Sequence, residues 1–257
     1  MPEIHPTAIV APEAELARDV VVGPYVVIGP HARVGEATRF LSHVHVDGHT
    51  SIGRECSFFP FSSVGTRTQD LKYVGGAPRL EIGDRTTVRE SVTLNAATAD
   101  GDATVVGSDC LLMAYSHVAH DCQLGDGVIL ANCATLAGHV VVEDSAIIGG
   151  LSGVHQFVRI GRHVMIGGCA KVTHDVPPYM IADGNPLAIR GVNRVGLKRR
   201  GVRAEAQKQI KAAYQILHRD ELPIAQAIVR LEQELASSPE MEHLIEFLRT
   251  SERGLTR

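Results

Sequence analysis

His117, His120, Asp121 and His139 fall within one short stretch, Leu112 to Val142. A histidine followed directly by an aspartate, as at His120 and Asp121, supplies a base and a carboxylate able to orient it. If residues eighteen apart stack, His120 lies over Gly138 and Asp121 over His139. That adds a glycine whose N–H can be approached closely and a second imidazole. Base, orienting carboxylate and backbone donor are the components of an acyl-transfer site. With an already activated acyl donor no enzyme nucleophile is required, because the acceptor hydroxyl only has to lose its proton as it attacks. Singly, none of these residues carries the argument: the chain has 13 His, and a His at a turn is ordinarily just solvated.

The elements that must position them follow from a period of six. Stepping from Ile4 gives Val10, Leu16, Val22, Ile28, Val34, Phe40, Val46, Ile52, Phe58 and Val64; the register resumes at Ile82, Val88 and Leu94 and runs unbroken from Val106 to Val172. Asp70, Gly76 and Asp100 break it. Four residues after each aliphatic stands a small or β-branched residue, as at Ala14, Val20, Ala32 and Thr38, and Gly often follows the aliphatic directly. Six fits neither a 3.6-residue helix nor a two-residue alternation. It fits short strands joined by tight turns, three hexads making a triangular coil and the coils stacking into a parallel β-helix. Residues eighteen apart then sit about 4.8 Å above one another. Cys56, Cys110 and Cys122 occupy the small inward slot, where a thiol packs as a small apolar group. Polar, Gly-containing stretches near 65–80 and 97–104 read as loops pushed out of the coil, and loops on a rigid scaffold are where function is carried.

Pro177 and Pro178 are expected to end the coil at Val176 by removing two ladder donors, and Asp183–Pro186 reads as a turn. Beyond about Gly201 the period becomes helical: Ile210, Ala213, Tyr214 and Leu217; Ile224, Ile228, Leu231 and Leu235 after Pro223; Met241, Leu244, Ile245 and Leu248 after an N-capping Ser238, with Gly254 placed to end the last helix. The fold class is therefore mainly β, a β-helical domain over 1–189 followed by a helical domain over 190–257.

Aromatics are only 4% of the chain and Trp is absent, so the interior must be narrow and built from Val, Ile, Leu and small residues. No apolar run approaches the roughly 18–20 residues of a membrane span, no secretory signal is evident at MPEIHPTAIV, and five Cys without a C-x-x-C pair argue against disulfides. A reducing, cytoplasmic setting is expected. Between Arg190 and Lys211 lie eight basic residues against the single acid Glu205, in a chain of net charge −4. Such a local field attracts an anionic partner, or is simply a solvated helix face. No nucleic acid is expected as a partner.

The hexad pattern resembles the left-handed β-helix acyltransferases. The phrases QDLKY (Gln69–Tyr73), SHVAHDC (Ser116–Cys122), LAGHV (Leu136–Val140), GVHQF (Gly153–Phe157), DVPPY (Asp175–Tyr179) and GLKRRG (Gly196–Gly201) resemble, in order and across the whole chain, the UDP-N-acetylglucosamine 3-O-acyltransferases that begin lipid A synthesis. The left hand is what the resemblance implies, since the usual crossover rule favours the right. It further implies transfer of an (R)-3-hydroxyacyl chain from acyl carrier protein to UDP-N-acetylglucosamine by a homotrimer, with no cofactor and no metal. His120 would be the general base, Asp121 its partner, and the Gly138 N–H the oxyanion donor. Asp70 and Lys72 would reach the sugar nucleotide. His117, His139, His155 and Gln156 would line the acyl and sugar site together with Asn95 and Gly168, and Asn193, Arg199 and Arg200 would contact nucleotide and carrier protein. The chain departs from the family where Asn95 and Pro186 stand in place of frequent His and Val195 in place of a carboxylate, which bears on acceptor and acyl length.

Two other readings compete. A 3-amino UDP-sugar acceptor would need less base assistance than a hydroxyl, though His120 and Asp121 keep the machinery for a hydroxyl. A metal-dependent hydratase of the γ-carbonic-anhydrase type needs three converging His, and His117 and His120 occupy different hexad positions. A purely structural solenoid would show a repeated Thr or Ser face, and none is visible.

Overall fold

The computed structural model describes residues 1–218, 220, 222–235 and 237–257. Most hexads form a two-residue strand and a turn, as at Val21–Val22, Val27–Ile28 and Arg33–Val34. Among the described residues, successive strands fall into three sheets of 11, 9 and 8 strands, parallel except for the last strand of the first sheet, that form the walls of a triangular prism; their first strands are Glu3–Ile4, Ile9–Val10 and Glu15–Leu16. Within a sheet the partner is the equivalent residue of the next coil, Val21 with Arg39 and Leu111 with Ile129, which is the eighteen-residue repeat.

At most corners the turn places one residue in the left-handed backbone region, including Asp121 (φ 61°) and His139 (φ 59°). Non-glycine residues there cost about 1–2 kcal/mol each, which the ladder bonds on either side offset. The glycines serve another purpose: a Cβ on Gly35 would lie 2.7 Å from the Gly53 carbonyl carbon one coil on. Glycine after the aliphatic is thus a close-approach requirement between coils.

The interior is one stack from Val20 to Ala182, large aliphatics alternating with the small slot, Cys56, Cys110 and Cys122 included. Burial pushes the Cys110 thiol up to about 11 and the Cys122 thiol up to about 12, keeping both as neutral packing groups. At the first coil nothing covers the stack, and Ile4 is 43% exposed.

Both loops leave the corner between the second and third sheets. Ser57 pairs with Thr87 thirty residues on, and Thr87 with Leu111 twenty-four on, instead of eighteen. The first insertion runs between strands Ser63–Thr66 and Arg79–Ile82, the second between Thr93–Asn95 and Ala103–Val106, so residues 65–66, 79–80 and 103–104 are strand.

The prolines do not end the ladder. Strand Met180–Asp183 pairs in parallel with Met165–Ile166 beyond them, and then in antiparallel fashion with Ala188–Val192. Pro177 and Pro178 lie in the turn between Val176, which still bridges to Ile160, and that strand; a missing N–H costs nothing at a position the ladder does not use. Four helices follow, α1 (Arg194–Arg199), α2 (Ala204–His218), α3 (Ile224–Glu234) and α4 (Pro239–Arg249), with a second apolar cluster of Leu197, Ile210, Leu231, Leu244 and neighbours. The helical spacing marked the last three but not α1. Ser238 caps α4 as expected, accepting from Met241 N–H, but α4 ends at Thr250 rather than Gly254. The Gly254 carbonyl instead accepts the Asp175 N–H at 2.9 Å. Among the described residues no helix is long and apolar enough to cross a membrane.

Candidate active site

The corner that carries both loops also carries most of the candidate residues. In successive coils it presents the 67–78 loop, the 96–102 loop, His120 with Asp121, Gly138 with His139, and Gln156 with Phe157. His120 therefore does lie over Gly138: a Cβ on Gly138 would overlap the imidazole, whose Nε2 would stand 2.5 Å away. The Gly138 N–H has no backbone acceptor among the described residues.

Asp121 Oδ2 lies 2.8 Å from His120 Nδ1, and Oδ1 takes the Thr98 N–H at 3.2 Å. Burial works against the Asp121 charge, but the bond from His120 and the donors of Thr98 outweigh it and hold the carboxyl below the ordinary carboxylate range. An ionised carboxylate can only accept. The proton of neutral His120 is therefore on Nδ1, and Nε2 carries the free lone pair. That nitrogen faces the first loop, with Asp70 Oδ2 at 3.9 Å, a gap too long for a direct hydrogen bond and short enough for one oxygen to bridge. Asp70 is held in turn: its N–H donates to Thr68 Oγ1 at 3.0 Å, its Oδ1 accepts from Lys72 N–H at 2.9 Å, and Thr68 and Thr98 hydroxyls meet at 3.3 Å. Sequence reasoning missed these threonines, because nothing in their spacing shows that the two loops touch.

The surrounding residues fall into two groups. His139 stacks on Phe157 at 4.6 Å and lies 3.6 Å from Asp121 Oδ2. His117 Nδ1 meets Thr93 Oγ1 at 2.6 Å, and burial with the nearby His120 pushes its imidazole below the usual range. Asn95 is buried at the base of both loops, its amide donating to Thr66 Oγ1 while Oδ1 has no partner. His155 and Gln156 follow two coils on from His120, with His155 Nδ1 accepting from Arg253 at 3.1 Å. These share the corner.

Gly168, Asn193, Arg199 and Arg200 do not. Gly168 stands at the corner between the first and second sheets, exposed. Asn193 spans the β-helix and α1, donating to His163 O at 2.8 Å and capping the helix through Gly196 N–H at 3.0 Å. Arg200 donates to Gly127 O at 3.3 Å, at the corner between the third and first sheets, beside Asp109, Asp126, Asp144 and Arg162, and Arg199 is exposed nearby. Within a single chain the three corners cannot converge.

Residues 103–138 match the bacterial transferase hexapeptide family (six repeats), and residues 175–256 match the family described as Udp N-acetylglucosamine O-acyltransferase, Domain 2. The chain is 48% identical, over all of both chains, to the acyl-[acyl-carrier-protein]–UDP-N-acetylglucosamine O-acyltransferase of Thermodesulfovibrio yellowstonii. LpxA from Acinetobacter baumannii superposes with a TM-score of 0.95 at 44% identity over 99% of each chain, and the UDP-N-acetylglucosamine acyltransferase of Arabidopsis with 0.86 at 35% over 99% of this chain and 100% of its own. With identity of this extent running through both the β-helix, whose hand is left, and the helices, the chain belongs to the UDP-N-acetylglucosamine O-acyltransferase family.

Proposed function

We propose that this protein transfers an (R)-3-hydroxyacyl chain from acyl carrier protein to the 3-hydroxyl of UDP-N-acetylglucosamine, the first step of lipid A synthesis, with His120 as general base. The observation that carries the residue assignment is the His120–Asp121 pair, whose 2.8 Å contact leaves Nε2 as the acceptor nitrogen beside the Asp70 loop. The sugar hydroxyl donates to His120 Nε2, beside the Asp70 loop, and gives its proton to that nitrogen as its oxygen attacks the thioester carbonyl. Asp121 stabilises the imidazolium so formed. The Gly138 N–H receives the developing oxyanion, an interaction worth roughly 2.7–4 kcal/mol. Collapse of the tetrahedral species breaks the C–S bond, and the imidazolium returns its proton to the departing thiolate. Lys72, Asn95, His117, His139, His155 and Gln156 line the sugar and acyl path along the same corner.

The active assembly is a homotrimer. Gly168 on one edge and Asn193, Arg199 and Arg200 on another reach the His120 corner only if copies stand edge to edge. The edge between the first and second sheets supports this, since Tyr25, Phe61, Tyr115 and Leu151 are 57%, 64%, 65% and 68% exposed there in one column. The basic segment from Arg190 to Lys211 then docks the acidic carrier protein, and the cytoplasm, where acyl carrier protein is found, is the site of action.

The test is His120→Ala. The side chain lies outside the inward slots, so the circular dichroism spectrum and melt should match wild type while transfer falls by about 10²–10⁴-fold. Activity within a few fold of wild type removes His120 from the base role.

A further inference from the structure

The corner holds more donor atoms than a proton relay uses. His120, Asp121 and His139 each offer one ligand atom, and the three atoms lie within 4.8 Å of one another. Two of the distances share one oxygen: Asp121 Oδ2 is 2.8 Å from His120 Nδ1 and 3.6 Å from His139 Nε2. Ligand atoms around a tetrahedral zinc ion, at bonds of about 2.0–2.2 Å, stand about 3.3 Å apart. The observed pair of distances brackets that value, and the third, between the two imidazoles, is no longer than 4.8 Å. The donors are also held in place beforehand. Thr98 N–H fixes the other oxygen of Asp121, and Phe157 lies parallel to the His139 ring, 9° from coplanar orientation. Two imidazoles and a carboxylate suit zinc and its borderline neighbours and leave a fourth position open.

We propose that His120, Asp121 and His139 form a binding site for Zn2+ or a similar borderline divalent cation, and that the bound ion silences the enzyme. A neutral imidazole has one lone pair. Whichever nitrogen of His120 ligates the ion, the other carries the ring proton, and no nitrogen remains to take a proton from the acceptor hydroxyl. Metal occupancy and base function therefore exclude each other. The kinetic consequence rests on His120 being the base; the binding itself does not.

The competing ligands are the two thiols outside the core, Cys133 and Cys169, which stand on the other edge of the β-helix, between the first and second sheets. Co2+ titration of the metal-free, full-length protein reads binding directly through its visible ligand-field bands. The expected result is one Co2+ per chain in wild type and in the Cys133→Ser/Cys169→Ser double variant, displaced by Zn2+. The bands should be lost in His139→Gln and in Asp121→Asn, two variants checked for native melts so that one suffices if the other misfolds. Zn2+ should reduce the wild-type transfer rate by at least about tenfold, with recovery on adding EDTA. His139→Gln, measured against its own metal-free rate, should resist. Absence of binding, bands that survive both variants, or bands that vanish with the cysteines overturn the site. If Co2+ binds through these residues while the rate is unchanged, the site stands, its silencing role is overturned, and the base assignment of His120 falls. If nothing binds while His120→Ala is inactive, the base stands and the site falls.

Discussion

Asp121 does two jobs through its two oxygens. One fixes the tautomer of His120, and the other ties the pair to the 96–102 loop through Thr98. Asp121→Asn keeps the shape but replaces an acceptor by an amide that can donate, so the imidazole loses its reason to hold the proton on Nδ1. Steady-state kinetics should show kcat falling by about 10²-fold or more, with a thermal melt near wild type. Gly138 offers a second test. A methyl group there occupies the space of the His120 ring, so Gly138→Ala must push that ring off its position, and if His120 is the base a displacement of about 1 Å should cost about 10²-fold in rate. Gly138→Ala with wild-type kcat would show that the ring need not sit where it does. The pair His120–Asp121 and the glycine below it were legible from the sequence, because the eighteen-residue repeat predicts who stacks on whom. Thr68 and Thr98 were not, since the insertions break that repeat and only the folded loops show where their residues land.

At the scale of elements, α4 and the C-terminal segment lock onto the last coils through polar contacts that no periodicity encodes. His243 Nε2 meets Glu143 Oε2 at 2.8 Å and its Nδ1 meets the Tyr179 hydroxyl at 3.0 Å. The Arg159 guanidinium lies 4.5 Å over the Phe247 ring and donates to Thr250. Buried Asp175 accepts from Ser251 Oγ at 2.7 Å and from Arg159 N–H at 2.8 Å. Burial opposes the Glu143 charge, yet the bond to His243 prevails and holds the carboxyl below its ordinary range. A carboxyl depressed on folding contributes stability above its unfolded value of about 4.3 and loses it as pH falls through the folded value. Glu143→Gln should therefore melt below wild type at neutral pH, by up to about 3 kcal/mol in unfolding free energy, and the gap should close as the pH falls below the ordinary carboxylate range. A gap independent of pH would assign the loss to packing instead. The helices themselves were readable from their apolar spacing. α1 was not, because its six residues carry a single buried side chain, Leu197, too little for a period to show.

For the whole molecule, the exposed column of Tyr25, Phe61, Tyr115 and Leu151 predicts association. Light scattering should give three times the chain mass, and Tyr115→Asp with Leu151→Asp should shift the protein to monomer and abolish transfer with the His120 corner intact. The basic segment makes a separate prediction. Arg199→Glu with Arg200→Glu should raise the KM for acyl carrier protein, and added salt should weaken the wild-type interaction. A change confined to the KM of the UDP-sugar would assign these arginines to the nucleotide phosphates. Comparing UDP-N-acetylglucosamine with its 3-amino analogue by kcat/KM decides the acceptor atom, and a preference for the amine above about 100-fold, near 2.7 kcal/mol, would reverse the hydroxyl assignment.

By itself the sequence determined the repeat, the inward slots and the vertical neighbours of every regular coil, because a solenoid makes its contacts at one fixed sequence separation. That was enough to assemble His120, Asp121, Gly138 and His139 before any coordinates. What only the tertiary structure decided lies where that separation fails. The insertions bring Asp70 to His120 across 50 residues of chain and Thr98 to Asp121 across 23. The prolines fall harmlessly in a turn, and the ladder runs on to Ala182. Asn193 and Arg200 go to a different corner from His120. In each case the outcome depends on contacts whose spacing is not periodic, and these have no signature in the order of residues.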